Sequence, residues 1–426
     1  MASMQYALWH VPPRGSDGLS ATPCKFKGVP TSLELFAGGG GMALGLHFAG
    51  FDHVRLIEWE PRACDTLRLN AAGQGAPWPI DMVDQADVRA IIPEITQALP
   101  DQIDLVAGGP PCQPFSLGGI HAGEADERNM FPAALEIVRL TRPKLVIFEN
   151  VPGLLRPSFR PYFDYVRDQL VQPSVTHRTG EPWQDHWRRV LAATPGRRAL
   201  RYRVARQLIL AADLGVPQMR QRVFLIGIRD DLGVDWQPME RDHSEDALLF
   251  DKYISGSYWE EHEDHPEVKR LLRRGLPKPP EKLALRIGRI AEGGSPAKRW
   301  RTVRDMLRDP EPLPEPRDGV QVGPWPNHIG VPGARAYVGH TGSDIDQPAK
   351  TIKAGVHGVC GGEAMIRWRD GSLRYMTTRE SARVQGFPDW YEFTGARSHA
   401  MRHIGNAVAV PVARAVGEHL RKLTDI

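Results

Sequence analysis

Over the first half of the chain, short apolar runs alternate with stretches of helical spacing. TSLELF (31–36), HVRLIE (53–58), IDLVAGG (103–109) and KLVIFENV (144–151) are apolar and bounded by turn-forming residues, which predicts strands. Between them, GMALGLHFAGF (41–51), PRACDTLRLN (61–70) and FPAALEIVRLTR (131–142) carry apolar residues at helical spacing, and Pro61 is well placed at a helix start. YRVARQLILAADLG (202–215) and RVFLIGIR (222–229) predict two further strands joined by a turn. This rhythm predicts an α/β fold: a Rossmann-like, doubly wound, mostly parallel sheet with helices on both faces. From about 230 to 375 the rhythm is lost, and Pro, Gly, Trp and charged residues dominate. A second, smaller domain of irregular, strand-rich structure is expected there. Patterning returns at 379–388 and 404–422, and the last stretch is expected to pack back on the first domain.

Charge changes this picture locally. The net charge of the 426-residue chain is only +3, and its 41% hydrophobic and 25% charged residues are ordinary for a globular protein. Between Glu267 and Arg308, however, thirteen Lys/Arg stand against four acids, while 242–264 is acidic. Between Arg178 and Arg206, eight arginines stand against Glu181 and Asp185. Either stretch could be a solvated surface, or a cationic face for a polyanion. The four cysteines, Cys24, Cys64, Cys112 and Cys360, form no CxxC pair and have no histidine at metal spacing, so no metal site, disulfide framework or oxidising compartment is expected. No secretory signal and no membrane-spanning run is expected either.

Three stretches carry candidate chemistry. In LELFAGGGGMALG, Gly38, Gly40 and Ala43 fit G-x-G-x-x-A, and Glu58 follows Gly38 by twenty residues at the end of the second strand. Such a turn lets backbone approach an adenosine-containing ligand, and the acid suits ribose hydroxyls. It does not separate a nicotinamide dinucleotide from S-adenosylmethionine, and a surface turn would also use these glycines. Trp59 offers an aromatic face beside Glu58. GGPPCQPFS (108–116) sets Cys112 among prolines just past a strand end, where α/β sheets bind ligands. Glu149 ends the next strand, so a nucleophilic sulfur and a carboxyl group would share one sheet edge. In PQMRQRVF (217–224), alternation puts Arg220 and Arg222 on one face, suited to a phosphate or a base carbonyl.

Taken in order, FAGGGG, EWE, DV (87–88), GGPPCQPFS, ENV, QMRQR, RESARVQGFP and IGNAVAVPV resemble the motif series of the DNA cytosine-C5 methyltransferases, over about 31–229 and 376–422. The resemblance implies a class I S-adenosylmethionine-dependent methyltransferase fold with a target-recognition domain. It implies a catalytic domain at 31–230 completed by 404–426, a target-recognition domain at 231–403 with its variable part at 231–375, and an N-terminal extension, 1–30, without counterpart. Cys112 would add to C6 of a cytosine flipped out of double-stranded DNA. Glu149 would contact N3 and the exocyclic amine, Arg222 would hold O2 with Arg220 close by, and the Pro110 carbonyl would accept from the amine. Gln113, Ser116 and Thr351 would contact the DNA substrate, and the loop 113–130 would close over the base.

S-adenosyl-L-methionine, leaving as S-adenosyl-L-homocysteine, would lie over Phe36, Ala37, Gly38, Gly39 and Gly40. Glu58 would bind its ribose, Trp59 would stack on adenine, and Asp87 with Val88 would read the adenine edge. Pro110, Met130, Asn406 and Ala407 would complete the cofactor site. Thr351-Ile352 resembles the Thr-plus-aliphatic doublet of such recognition domains, with a base-reading loop between it and HGVCGG (357–362). The basic run 267–308 would carry phosphate contacts, and the Arg-rich insertion near 172–200 has no counterpart in the motif series. A cytoplasmic, nucleoid-associated monomer is implied, with room for a restriction or other phage-defence partner. Two other readings stand beside it: an RNA (tRNA) cytosine-C5 methyltransferase, and a nicotinamide-dependent oxidoreductase built on the G-x-G-x-x-A turn. The oxidoreductase leaves Cys112, Glu149 and the arginine pair without a role.

Overall fold

Both faces of the central strands are buried, so they read as apolar runs rather than alternating ones. Seven strands form one sheet: β1 (Thr31–Leu35), β2 (Asp52–Glu58), β3 (Val83–Gln85), β4 (Leu105–Gly108), β5 (Leu145–Asn150), β6 (Tyr202–Leu210) and, after the short outlying β7 (Gln218–Met219), β8 (Gln221–Arg229). Their order is β3-β2-β1-β4-β5-β8-β6. The pairs from β3 to β5 are parallel, whereas β8 runs antiparallel to both β5 and β6. Strand order reverses between β1 and β4, and the crevice at their carboxyl ends is where open α/β sheets take ligands. The structure, a computed structural model, describes residues 28–426 except 73–74, 100–102, 112–128, 195, 197, 295–296, 339 and 355–363. The expectations for Cys112, Gln113, Ser116, the HGVCGG segment and the N-terminal extension through residue 27 therefore lie outside the described residues.

Helices α1 (Gly41–Phe48), α2 (Pro61–Leu69), α3 (Ile92–Ala98), α4 (Phe131–Thr141) and α5 (Arg160–Val171) follow the strands. Leu33 and Leu35 point into a core shared with α4 and α5. The insertion forms α6 (Trp183–Ala192), which packs on α5: Tyr165 Oη lies 2.8 Å from His186 Nδ1, and Trp187 donates to Asp168 at 2.9 Å.

The second region begins with short helices and continues with short strands. It holds β9 (His243–Ser244), α7 (Glu245–Phe250), α8 (Ser257–Glu260), α9 (Pro266–Leu272), α10 (Ala284–Gly293), β10 (Lys298–Arg299), α11 (Val303–Arg308), β11 (Ser343–Asp344), β12 (Ala349–Lys350), β13 (Met365–Arg367) and β14 (Leu373–Tyr375). The chain then returns through α12 (Thr378–Val384), α13 (Arg397–Asn406) and α14 (Val410–Thr424). The final apolar stretch is thus two helices with a break at 407–409, and Pro411 opens the second. α14 lies on α1, as expected. The approach depends on small residues: a Cβ on Gly45 would come within 2.5 Å of Ala413 Cβ.

Candidate active site

The glycine turn between β1 and α1 is shaped from three sides. A Cβ on Gly39 would meet His403 Cβ at 2.9 Å, one on Gly40 would meet Tyr391 Oη at 2.3 Å, and one on Gly41 would meet the Val408 carbonyl at 2.3 Å. Gly38 differs, because the nearest atom to its added Cβ is the Phe36 carbonyl, at 3.9 Å. The turn is therefore filled behind and open at Gly38. Phe36 holds a left-handed φ of 58°, an unfavourable state for a side chain that costs on the order of 1 kcal/mol or more.

Glu58 closes this turn. Its Oε2 accepts from Gly38 N at 2.8 Å, and its Oε1 accepts from Trp59 N at 3.0 Å and Glu60 N at 2.8 Å. Burial pushes its pKa up, and the three N–H donors oppose that. Oε2, with a single donor, keeps capacity for one more. Trp59, beside it, is 72% exposed. An open glycine face, an anchored acid and a bare indole suit the adenosine half of a nucleoside cofactor. Asp87 is less available, since Arg89 grips its carboxylate at 2.6 Å. Val88 and Met130 are buried in one core cluster, so any ligand contact of theirs is made at its edge. Asn406 is exposed at the end of α13, and Ala407 is buried.

The second group stands at the ends of β4, β5 and β8. Glu149 is almost wholly buried, and Arg222 Nε approaches its Oε1 at 2.7 Å. Burial raises the Glu149 pKa, while Arg222 and Arg220 pull it down. This carboxyl group therefore takes up a proton more readily than a surface glutamate, which fits an acid that protonates a ring nitrogen. Gly109 makes room for it, because a Cβ there would stand 3.3 Å from Glu149 Oε2. The Pro110 carbonyl accepts from Asn150 Nδ2 at 2.9 Å, which ties the segment leading to Cys112 to the end of β5. One lone pair of that carbonyl remains for a substrate amine. Asn150 is a site residue that sequence reasoning passes over, although the ENV motif carries the signal.

Arg220 calls for a correction. It is 2% exposed, and its guanidinium donates to the carbonyls of Ile352 (3.2 Å), Gly405 (2.9 Å) and Ala407 (2.8 Å). It is a clasp between the second region and the α13–α14 break, and only Arg222 faces Glu149 with an ion pair. Gln218 works beside it: its amide accepts from Ile352 N at 3.0 Å and donates to Gln385 at 3.0 Å. Thr351 Oγ1 donates to the Met219 carbonyl at 2.6 Å, so its hydroxyl proton is used in joining β12 to β7.

The basic run is also divided. Arg286, Arg299, Arg301, Arg304 and Arg308 are taken by acids of the same region. Lys269 and Arg270 at the end of α9, and Arg273 and Arg274 just after it, are exposed and form no ion pair among the described residues, although Arg270 lies close enough to Asp370 to act on its charge. Among the described residues, Glu261, His262 and Asp305 approach one another as metal ligands would. Arg299 reaches both carboxylates and balances them.

The sequence model of the C-5 cytosine-specific DNA methylases matches residues 31–172 and 197–422. The chain belongs to that family. The chain is also 32% identical over 396 residues to the Type II methyltransferase M.NgoMIV of Neisseria gonorrhoeae, covering 92% of this chain and 97% of that one. Against M.Eco47II of Escherichia coli it is 30% identical over 400 residues, covering 93% and 80%. Its fold matches the crystal structure of the S. pombe Dnmt2 methyltransferase with a TM-score of 0.51 at 18% identity, covering 93% of this chain and 98% of that one. The enzyme is a DNA cytosine-5-methyltransferase, and the RNA-modifying and nicotinamide-dependent readings fall away. Its family methylates C5 of cytosine from S-adenosylmethionine. The match skips 173–196, the segment that forms α6 and that the motif series left unplaced.

Proposed function

We propose that this methyltransferase acts on a cytosine flipped out of a specific double-stranded DNA site, through a covalent bond from Cys112 Sγ to C6. The observation that carries this reading is Glu149, buried at the end of β5, paired with Arg222 and one strand from the Pro110–Pro111 segment that leads to Cys112. A base in a duplex is out of reach, so it must be extruded, at a cost of a few kcal/mol. Arg222 holds O2 of the extruded base, and the free lone pair of the Pro110 carbonyl accepts from its amine. Cys112, as the thiolate, adds through Sγ to C6 while Glu149 delivers a proton to N3, which makes C5 nucleophilic. Once C5 is methylated, loss of its proton, departure of the Cys112 thiolate and return of the N3 proton to Glu149 restore the ring.

Phe36 to Gly40, Glu58 and Trp59 hold S-adenosylmethionine, with Asp87, Val88, Pro110, Met130, Asn406 and Ala407 around it. When bound, it supplies a methyl group on a sulfonium and leaves as S-adenosylhomocysteine. Gln113 and Ser116 contact the DNA substrate. Residues 31–230 with 404–426 form the catalytic domain, and 231–403 the target-recognition domain, with the variable part at 231–375. The cations of α9 meet DNA phosphates. The protein works as a cytoplasmic, nucleoid-associated monomer, and its Type II relatives point to a restriction or phage-defence partner. Expression in a host lacking cytosine-C5 methylation, followed by bisulfite sequencing, tests the reading. Conversion-resistant cytosines at one short recurring site are expected; fully converted DNA from a soluble, folded protein overturns it.

A further inference from the structure

His403 lies on α13, shortly before the α13–α14 break, and is 5% exposed. Its Nε2 is 3.0 Å from Glu60 Oε2. Its Cβ is the atom against which Gly39 of the glycine turn is pressed. Glu60 stands two residues beyond Glu58 and caps α2 by accepting from Ala63 N at 2.7 Å. One histidine thus touches the segment that carries Gly38, the segment that carries Glu58 and Trp59, and the segment that carries Asn406. Its other ring nitrogen, Nδ1, is buried and has no hydrogen-bond partner among the described residues. That leaves Nε2 as the nitrogen that bonds within the protein, donating to the Glu60 carboxylate in the neutral ring. Neighbouring contacts run the same way: Thr66 and Thr394 hydroxyls meet at 2.9 Å, and Arg62 reaches His399 at 2.8 Å.

We propose that His403 and Glu60 form a latch that sets the spacing of the three cofactor-binding segments. His403 is a positioning residue: it acts through the glycine turn and through Glu60. The proposal rests on the reading of 36–60 as the S-adenosylmethionine site. Without the latch, α13 and the start of α2 lose the buried one of their ties, and the turn loses the wall behind Gly39.

The test is calorimetric titration of S-adenosyl-L-homocysteine into the purified full-length protein without DNA. His403→Leu, which fills the space but cannot donate, is expected to bind about tenfold more weakly, the size of one hydrogen bond to a charged group. His403→Gln, whose amide can donate to Glu60, recovers most of that loss. Glu60→Ser keeps a helix cap and removes the partner, so it matches His403→Leu and serves if that variant fails to fold. The double variant loses no more than either single one. Equal affinity of His403→Leu, or of Glu60→Ser, and wild type overturns the latch. So does additive loss in the double variant, or a His403→Gln variant as weak as His403→Leu. A wild-type protein that binds no S-adenosylhomocysteine removes the site reading, and the latch with it.

Discussion

The sheet that carries the site and the region between β8 and α12 are held together by different forces. The sheet buries long apolar strands between helices: Leu33, Leu35, Val106, Val146 and Phe148 all sit in one cluster. The second region has two small clusters of its own, one built on Leu248, Tyr258, Trp259, Val268 and Trp300 and another on Leu249, Ile287 and Ile290, while Val303, Met306, Ile345, Ile352 and Ile366 join a larger cluster shared with α1 and α12. Beside these clusters it buries a charge network. Asp346, 2% exposed, takes Arg304 Nε at 2.7 Å, Tyr258 Oη at 2.9 Å and Arg369 at 3.1 Å, and its carbonyl takes Lys252 Nζ at 2.8 Å. Asp305 takes Arg299 at 2.7 Å and His262 at 2.9 Å. Apolar burial is non-directional and tolerant, whereas a buried ion pair works only when every partner is present. The difference teaches where each region is vulnerable: the sheet to loss of volume, the second region to loss of a single charge.

The largest effect belongs to the sheet edge. Glu149→Gln should lower kcat by about 10²–10⁴-fold, the usual worth of a positioned acid, in protein that remains folded despite the loss of its ion pair with Arg222. Single-turnover methylation measures it, and a kcat within tenfold of wild type would remove Glu149 from the chemistry. Asp346→Asn probes the other side of the comparison. Removing one partner of a buried pair costs about 3–5 kcal/mol, so hydrogen exchange should rise across 245–308 and 343–375 with the sheet still protected. Uniform protection would mean that the network is not what holds the region.

Smaller still is the effect of neutralising Lys269, Arg270, Arg273 and Arg274 together. DNA binding should weaken, and the slope of log K against log salt should become shallower by up to about 0.9 for each phosphate that the variant no longer neutralises. An unchanged slope would put the DNA elsewhere.

Acid should also separate the two regions. Burial by itself would raise the pKa values of Asp346 and Asp305, but Arg304 and Lys252 for Asp346, and His262 and Arg299 for Asp305, outweigh it and hold both below the ordinary aspartate range. Depressed carboxylates contribute stability above their unfolded value, near pH 4, and lose it as pH falls toward their folded values. Glu34, buried in β1, is the reverse. Burial and the nearby Glu58 raise its pKa well above normal, against the Ala43 amide. Its contribution is complete below about pH 4 and is lost as pH rises. Below pH 4 the second region should therefore open first, as read by exchange corrected for intrinsic rate. The smallest effect is expected for Arg286→Ala, a half-exposed pair with Glu245 and Asp246, at less than about 1 kcal/mol in thermal melting.

The same contrast explains what the sequence could reveal. The strands of the sheet were legible because a strand buried on both faces is locally apolar. The glycine turn, Glu58 and Glu149 were legible because chain order alone puts them at strand ends. The second region was not, because its defining pairs are far apart in sequence: Arg304 and Asp346 differ by 42 positions. Counting charges left 267–308 open between a solvated surface and a cationic face, yet five of its arginines are paired with acids. Arg220 escaped for a related reason. Alternation says which side of a strand a residue faces, but the three carbonyls that capture it arrive from residues 352, 405 and 407.

The central claim is a transient bond between Cys112 and a cytosine ring. It is tested by incubating the protein with S-adenosylmethionine and a random-sequence duplex library containing 5-fluoro-2′-deoxycytidine, whose fluorine cannot leave as the C5 proton does. Wild type should give a protein–DNA species that survives denaturing electrophoresis, and Cys112→Ala should give none while still retaining DNA on a filter. No such species from a wild type that binds both DNA and S-adenosylhomocysteine would contradict the account.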